Sequence, residues 1–124
     1  MPLRKFHNGG QADIYEYYVA GKDGCLTEYF NNKKIPTSAQ DTLDRLFRLL
    51  GQQGQITNNQ QFKHLQDGIW EFKPKNYRVL CFFLDGNPKK CVATTHYFRK
   101  QSQKTPPKEI KKAKSIRNTI NTEG

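Results

Sequence analysis

Residues 69–106 read IWEFKPKNYRVLCFFLDGNPKKCVATTHYFRKQSQKTP. Aromatic and β-branched residues gather in three runs, Ile69–Lys73, Tyr77–Leu84 and Cys91–Phe98, which predict three consecutive antiparallel strands. Pro74-Lys75-Asn76 separates the first two runs and Asp85-Gly86-Asn87-Pro88 the last two, both with the residue types that tight turns demand. Ionisable side chains punctuate these apolar runs: Arg78 stands between Tyr77 and Val79, and His96 among Thr94, Thr95 and Tyr97. With Lys73, Arg99, Lys100 and Lys104 close by in sequence, the sheet is suited to holding a phosphate. Strand alternation sends Tyr97 and Phe98 to opposite faces, and Trp70 and Phe72 to one shared face, which we assign to the core.

Upstream of this stretch, residues 14–19 alternate as a further strand that Gly21 ends, and it must join the sheet across the segment between. Residues 1–11 read as a polar, loosely ordered lead-in. Leu26, Tyr29 and Phe30 have helical spacing, so residues 25–30 predict a short helix stopped by Asn31-Asn32 and Pro36. A longer helix follows, with Thr37 or Ser38 able to cap it and Leu43, Leu46, Phe47 and Leu50 on one stripe. Asp41 with Arg45, and Asp44 with Arg48, have i, i+4 spacing, worth roughly 0.3 kcal/mol per pair. Residues 51–61, rich in Gln and Asn, read as a loop, and residues 62–65 lead into the sheet. Downstream, Thr105-Pro106 opens a helix with Ile110, Ala113, Ile116 or Arg117, and Ile120 on its apolar line. Lys108, Lys111, Lys112 and Lys114 fall off that line, and residues 121–124 are expected to fray. The fold class expected is α+β: two N-terminal helices packed on a four-stranded antiparallel sheet, with a basic C-terminal helix, in one domain spanning residues 1–124.

The formal charge of the 124-residue chain is +10. Residues 1–61 hold 7 basic and 6 acidic side chains, whereas residues 62–124 hold 14 and 5. The half that carries the strands therefore carries the charge. Nucleic acid is the natural partner for such asymmetry, since neutralising phosphates releases condensed counterions; an acidic protein would satisfy the same charge. Cys25, Cys81 and Cys91 are odd in number and lack metal-ligand spacing, so free thiols in a reducing cytosol are expected, although Cys81 and Cys91 come nearly opposite across the second hairpin. No cofactor motif is present, and no carboxylate or cysteine is spaced to complete a metal site with His7, His64 or His96. No apolar run approaches the roughly 20 residues of a membrane span, and the N-terminus lacks the apolar core of a signal peptide, so a cytoplasmic protein with no membrane partner is expected.

Three pieces of the central stretch, Ile-Trp-Glu-Phe-Lys (69–73), Tyr-Arg-Val (77–79) and His-Tyr-Phe-Arg-Lys-Gln-Ser-Gln-Lys-Thr-Pro (96–106), resemble the HigB branch of the RelE/ParE toxin superfamily. That branch shows Leu-Trp-Glu-Leu-Arg, Tyr-Arg-Val-Phe-Tyr-Phe and His-Gly-Phe-x-Lys-Lys-Thr-x-Lys-Thr-Pro in the same order and at similar spacing. Here Lys73, Tyr97 and Gln101 replace an arginine, a glycine and a lysine of the pattern. The resemblance implies the toxin of a type II toxin–antitoxin pair, partnered by a helix-turn-helix antitoxin in a complex that can bind operator DNA as a higher oligomer. It also implies ribosome-dependent cleavage of messenger RNA, by metal-free attack of a ribose 2′-hydroxyl on the adjacent phosphate.

That reading places Arg78 and Lys73 at the phosphate, where positive charge stabilises the transition state. His96 titrates near neutrality and serves as proton carrier. Lys63, Arg99, Lys100 and Lys104 position the RNA, and Tyr97 stacks on a base. Each has a plainer alternative: Arg78 as the solvated face of a half-exposed sheet, His96 as a hydrogen-bonded structural residue, the lysines as solubilising charge. A ParE-type gyrase inhibitor and a non-catalytic RNA-binding module remain the alternative functions.

Overall fold

The computed structural model describes residues 2–123; of residues 121–124, expected to fray, 121–123 instead continue the C-terminal helix, while Gly124 and the lead-in residue Met1 lie outside the described residues. In chain order these residues form β1 (Leu3–Asn8), β2 (Ala12–Tyr17), α1 (Cys25–Asn31), α2 (Thr37–Gln53), β3 (Phe62–Gln66), β4 (Ile69–Phe72), β5 (Tyr77–Phe83), β6 (Lys90–Arg99) and α3 (Pro107–Glu123). The fold is α+β, as expected, but its sheet is neither four-stranded nor wholly antiparallel. It has six strands in the order β1-β2-β6-β5-β4-β3, and β2 runs parallel to β6. The lead-in is strand β1, and the lead into the sheet is strand β3. Both are edge strands whose polar, mostly exposed residues hide the alternation of a buried strand.

The β3–β4 hairpin turns through Asp67 and Gly68, with φ of 53° and 79°. Two left-handed residues in succession suit the right-handed twist of paired strands. β5 lies inside the sheet and is buried on both faces, so it reads as a continuous apolar run. Its Val79 and Cys81 pack with the residues under α1 and α2, including Leu26, Tyr29, Leu43, Phe47 and Phe72. Its Leu80 and Phe82 pack on the other face with Ile69, Ala93, Ala113 and Ile120, the last two from α3. The sheet is thus covered on both faces, by α1 and α2 on one and by α3 on the other. Leu43, Leu46, Phe47 and Leu50 of α2 are at most 1% exposed, and each such burial contributes roughly 1.5–3 kcal/mol.

Several local details depart from the sequence reading. Pro36 takes the cap position of α2, so neither Thr37 nor Ser38 caps it. Asp44 and Arg48 pair at 2.9 Å, while Asp41 and Arg45 do not. The helix passes Gly51 because Gly51 is a contact point, its carbonyl accepting the Gln11 N–H at 2.7 Å, and it ends at Gly54, whose left-handed φ of 77° terminates it. Phe72 is wholly buried but Trp70 only half-buried. Ile116, not Arg117, continues the apolar line of α3, and Arg117 instead donates to the Asp67 carbonyl. Cys81 lies opposite Thr94, not Cys91, and all three cysteines are free thiols.

The N-terminus of α1 is capped from outside the helix. Glu16 of β2, 2% exposed, accepts the N–H groups of Leu26 and Thr27 at 3.0 and 2.8 Å and the Thr27 hydroxyl at 2.7 Å. A Cβ on Gly24 would stand 2.2 Å from that carboxyl, so only glycine admits the cap.

Candidate functional site

Arg78 and His96 stand on the α3 side of the sheet, on neighbouring strands. Arg78 lies opposite Phe98 and Leu80 opposite His96. A register shift between Leu80 and Cys81 decides this, because Thr95 is the extra residue of a β-bulge in β6. Strict alternation from Val92 would have turned His96 toward α1 and α2. Beyond the bulge His96 instead stacks on Phe98, ring centroids 5.7 Å apart.

Neither side chain faces open solvent. The Arg78 side chain is 9% exposed, and its Nη1 donates to the carbonyls of Lys75 (2.9 Å) and Tyr77 (2.7 Å), while Nε stands 4.0 Å from Glu71 Oε1. Burial lowers the guanidinium pKa and the Glu71 carboxylate offsets it. Glu71 in turn accepts the buried Thr105 hydroxyl at 2.6 Å, from the segment that leads into α3. His96 Nε2 lies 3.0 Å from Glu109 Oε1 in the first turn of α3, and Nδ1 lies 3.0 Å from the Thr95 hydroxyl. Burial draws the His96 pKa below 6.5, against the pull of Glu109, and Lys112 adds to the lowering. The lowered pKa favours the neutral imidazole at pH 7, with Nε2–H donated to Glu109, while the Thr95 hydroxyl that lies 3.0 Å from Nδ1 donates to the Leu80 carbonyl at 3.3 Å. Among the described residues every buried side-chain nitrogen and oxygen has a partner, so the network is complete with α3 docked.

Lys73 beside it is half-buried, with Nζ 3.4 Å from the Asn59 carbonyl. Its pKa is lowered first by burial, against Glu71, and then by the charges of Arg78, Lys63 and Lys100. Three of the expected site cations, Lys63, Arg78 and Lys100, thus lie within electrostatic reach of Lys73, and Lys63 pairs with Glu71 on the neighbouring strand. Lys104 is exposed in the segment before Thr105. Tyr97 and Arg99 are not part of this group. Tyr97 lies on the α1 side, its hydroxyl donating to Glu28 at 2.9 Å and its ring 5.3 Å from that of Tyr29. Arg99 lies opposite Tyr77 at the end of β6 and is exposed.

The sequence reading missed the carboxylates. Glu71 carried a signal: an acidic residue between Trp70 and Phe72 in a strand needs a buried cation, and the neighbouring strand offers Arg78. Glu109 carried none, since only the docking of α3 brings it to His96. Among the described residues no three His, Cys, Asp or Glu side chains gather as metal ligands, and no helix is long and apolar enough to cross a membrane.

No curated protein matches the chain. The profile of the family described as Phage derived protein Gp49-like (DUF891) matches residues 31–118, from the end of α1 through β3, β4, β5 and β6 into α3. That span includes every residue of the buried polar network and covers more than two thirds of the sequence; the chain belongs to this Gp49-like family, within the RelE/HigB-like group of toxin–antitoxin toxins, and an antitoxin partner follows from that membership.

Proposed function

We propose that the protein is a ribosome-dependent endoribonuclease that cleaves messenger RNA without a metal ion. Supporting this reading is one observation above others: a rigid arginine and a histidine whose pKa burial lowers share one face of adjacent strands, with Lys73 within reach of the arginine and Lys63 and Lys100 within reach of Lys73. A neutral imidazole is the form a general base requires. Once Glu109 withdraws, the imidazole proton moves from Nε2 to Nδ1, and the free Nε2 of His96 accepts the proton of the ribose 2′-hydroxyl as its oxygen bonds to the adjacent phosphorus, the P–O5′ bond breaks, and solvent protonates the leaving 5′-oxygen. The products are a 2′,3′-cyclic phosphate and a 5′-hydroxyl. Arg78 and Lys73 stabilise the charge that builds on the phosphate oxygens, and Lys63, Arg99, Lys100 and Lys104 hold the RNA backbone.

With α3 docked, the Nε2 of His96 is engaged by Glu109, so the cleaving state is one in which the first turn of α3 has moved aside. A helix-turn-helix antitoxin that holds α3 down or covers the cationic face would silence the toxin, and such a complex would bind operator DNA. The test is a translating extract. Discrete message fragments ending in a cyclic phosphate, undiminished by EDTA at levels the ribosomes tolerate, are expected. Intact message together with stalled DNA supercoiling would replace this reading by gyrase inhibition.

A further inference from the structure

On the opposite side of the sheet from Arg78 and His96 there is a cleft of about 370 Å³, at the small end of the roughly 300–1,000 Å³ range of ligand cavities. Three parts of the chain wall it: Lys34 and the first turn of α2, the β4–β5 turn with Lys75 and Asn76, and the end of β6 with Arg99. Tyr77 supplies its aromatic lining, and that ring packs edge-on with Tyr29 at 6.0 Å. No acidic residue lines it. Among the described residues none of Lys34, Lys75 and Arg99 has a carboxylate within 4.0 Å. Three cations thus line one cleft that offers them no carboxylate, an arrangement that an anion would neutralise.

The turn is also held in an uncommon shape. Lys75 has a left-handed φ of 56°, rare for a side chain other than Gly, Asn or Asp, and the buried Arg78 guanidinium pins its carbonyl and that of Tyr77. That conformation holds Lys75, an exposed residue, in the lining of the cleft. A flat aromatic wall, an amide from Asn76 and three unpaired cations match one nucleotide: ring against Tyr77, phosphates against Lys34, Lys75 and Arg99. An acidic peptide would use the cations but leave the aromatic wall idle.

We infer that this cleft seats one nucleotide of single-stranded RNA, adding a positioning site to the buried Arg78–His96 face. The inference rests on the reading that RNA is the ligand of this chain, and it places Arg99 in a role shared with Lys34, Lys75 and Tyr77. The test is binding of the full chain to a fluorescent oligouridylate of about eight nucleotides, a length within single-strand site sizes, measured by anisotropy across salt concentrations. Lys34→Ala, Lys75→Ala and Arg99→Ala combined remove the cations that face the two phosphates flanking one nucleotide, so the slope of log affinity against log salt should shallow by about 1.4. Tyr77→Leu should weaken binding on the order of 10-fold and leave the slope unchanged. Lys111→Ala with Lys112→Ala, exposed on α3 across the sheet, is the charge control. Circular dichroism melts confirm that each variant is folded before it is compared.

A triple variant whose slope changes no more than that of the control overturns the inference, as does wild-type protein that prefers polyglutamate to the RNA. Cleavage is read separately. A chain that binds through the cleft but cuts no message keeps the cleft and loses the nuclease; a chain that cuts message while the triple variant binds as wild type loses only the cleft.

Discussion

Replacing Glu109 by Gln removes one negative charge and no bulk. In the wild-type chain the His96 Nε2–H donates to a carboxylate at 3.0 Å, in a pair whose side chains are 9% and 18% exposed. A hydrogen bond to a charged group contributes about 1.5–3 kcal/mol and a neutral one about 0.5–1.5. Gln offers an amide oxygen in the same place, so the loss is the difference, about 1 kcal/mol once partial exposure to solvent is allowed for. That energy falls on the docking of the first turn of α3, and 1 kcal/mol corresponds to about a five-fold rise in the open fraction. Hydrogen exchange should therefore quicken about five-fold at the amides around Ile110 and Ala113, which Glu109 ties to the sheet, with little change at the amides of β5. Cleavage in a translating extract should rise by a similar factor, since the open form is the cleaving one. Unchanged exchange in α3 would refute the claim that Glu109 holds the helix down. Cleavage lowered by orders of magnitude would mean that Glu109 takes part in the chemistry.

The same network sets a pH dependence. Burial holds the His96 pKa below its ordinary 6.5, so as pH falls past 6.5 the unfolded chain takes up a proton that the folded chain resists. This contribution to stability is complete above pH 6.5 and declines below it until the folded pKa is reached; wild type should lose more melting temperature between pH 7.5 and 5 than His96→Gln does. Thr105→Val leaves the buried Glu71 carboxylate without its 2.6 Å donor and should cost about 1.5–3 kcal/mol in urea unfolding. Gly24→Ala forces the Glu16 carboxyl off the N-terminus of α1 and should cost about 2–4 kcal/mol in the same assay; a loss below 0.5 kcal/mol would mean that the cap relocates freely.

The strands from Ile69 to Arg99 were legible because their alternation, turns and β-branched content agree with one another. β1 was not, since an edge strand of Leu-Arg-Lys-Phe-His-Asn needs only its backbone paired. β3 was masked by its own polar residues, and its one local signal was the Asp67-Gly68 turn that follows it. The pairing of β2 with β6 joins residues about 80 positions apart, as Tyr15 with Ala93, and no local pattern encodes such a contact. At the candidate site the cations were legible as charge in an apolar strand. The face that His96 takes depends on one extra residue at Thr95, and its partner Glu109 on how a helix docks; both are tertiary facts.

The most direct measurement is the single-turnover cleavage rate of a ribosome-bound message by wild type and His96→Gln, with fragment ends identified. A proton carrier contributes about 10²–10⁴ in rate, so His96→Gln should lose that much while melting near wild type at pH 7.5. His96→Gln that cleaves at the wild-type rate, or wild type whose fragments lack the cyclic phosphate, would contradict the account.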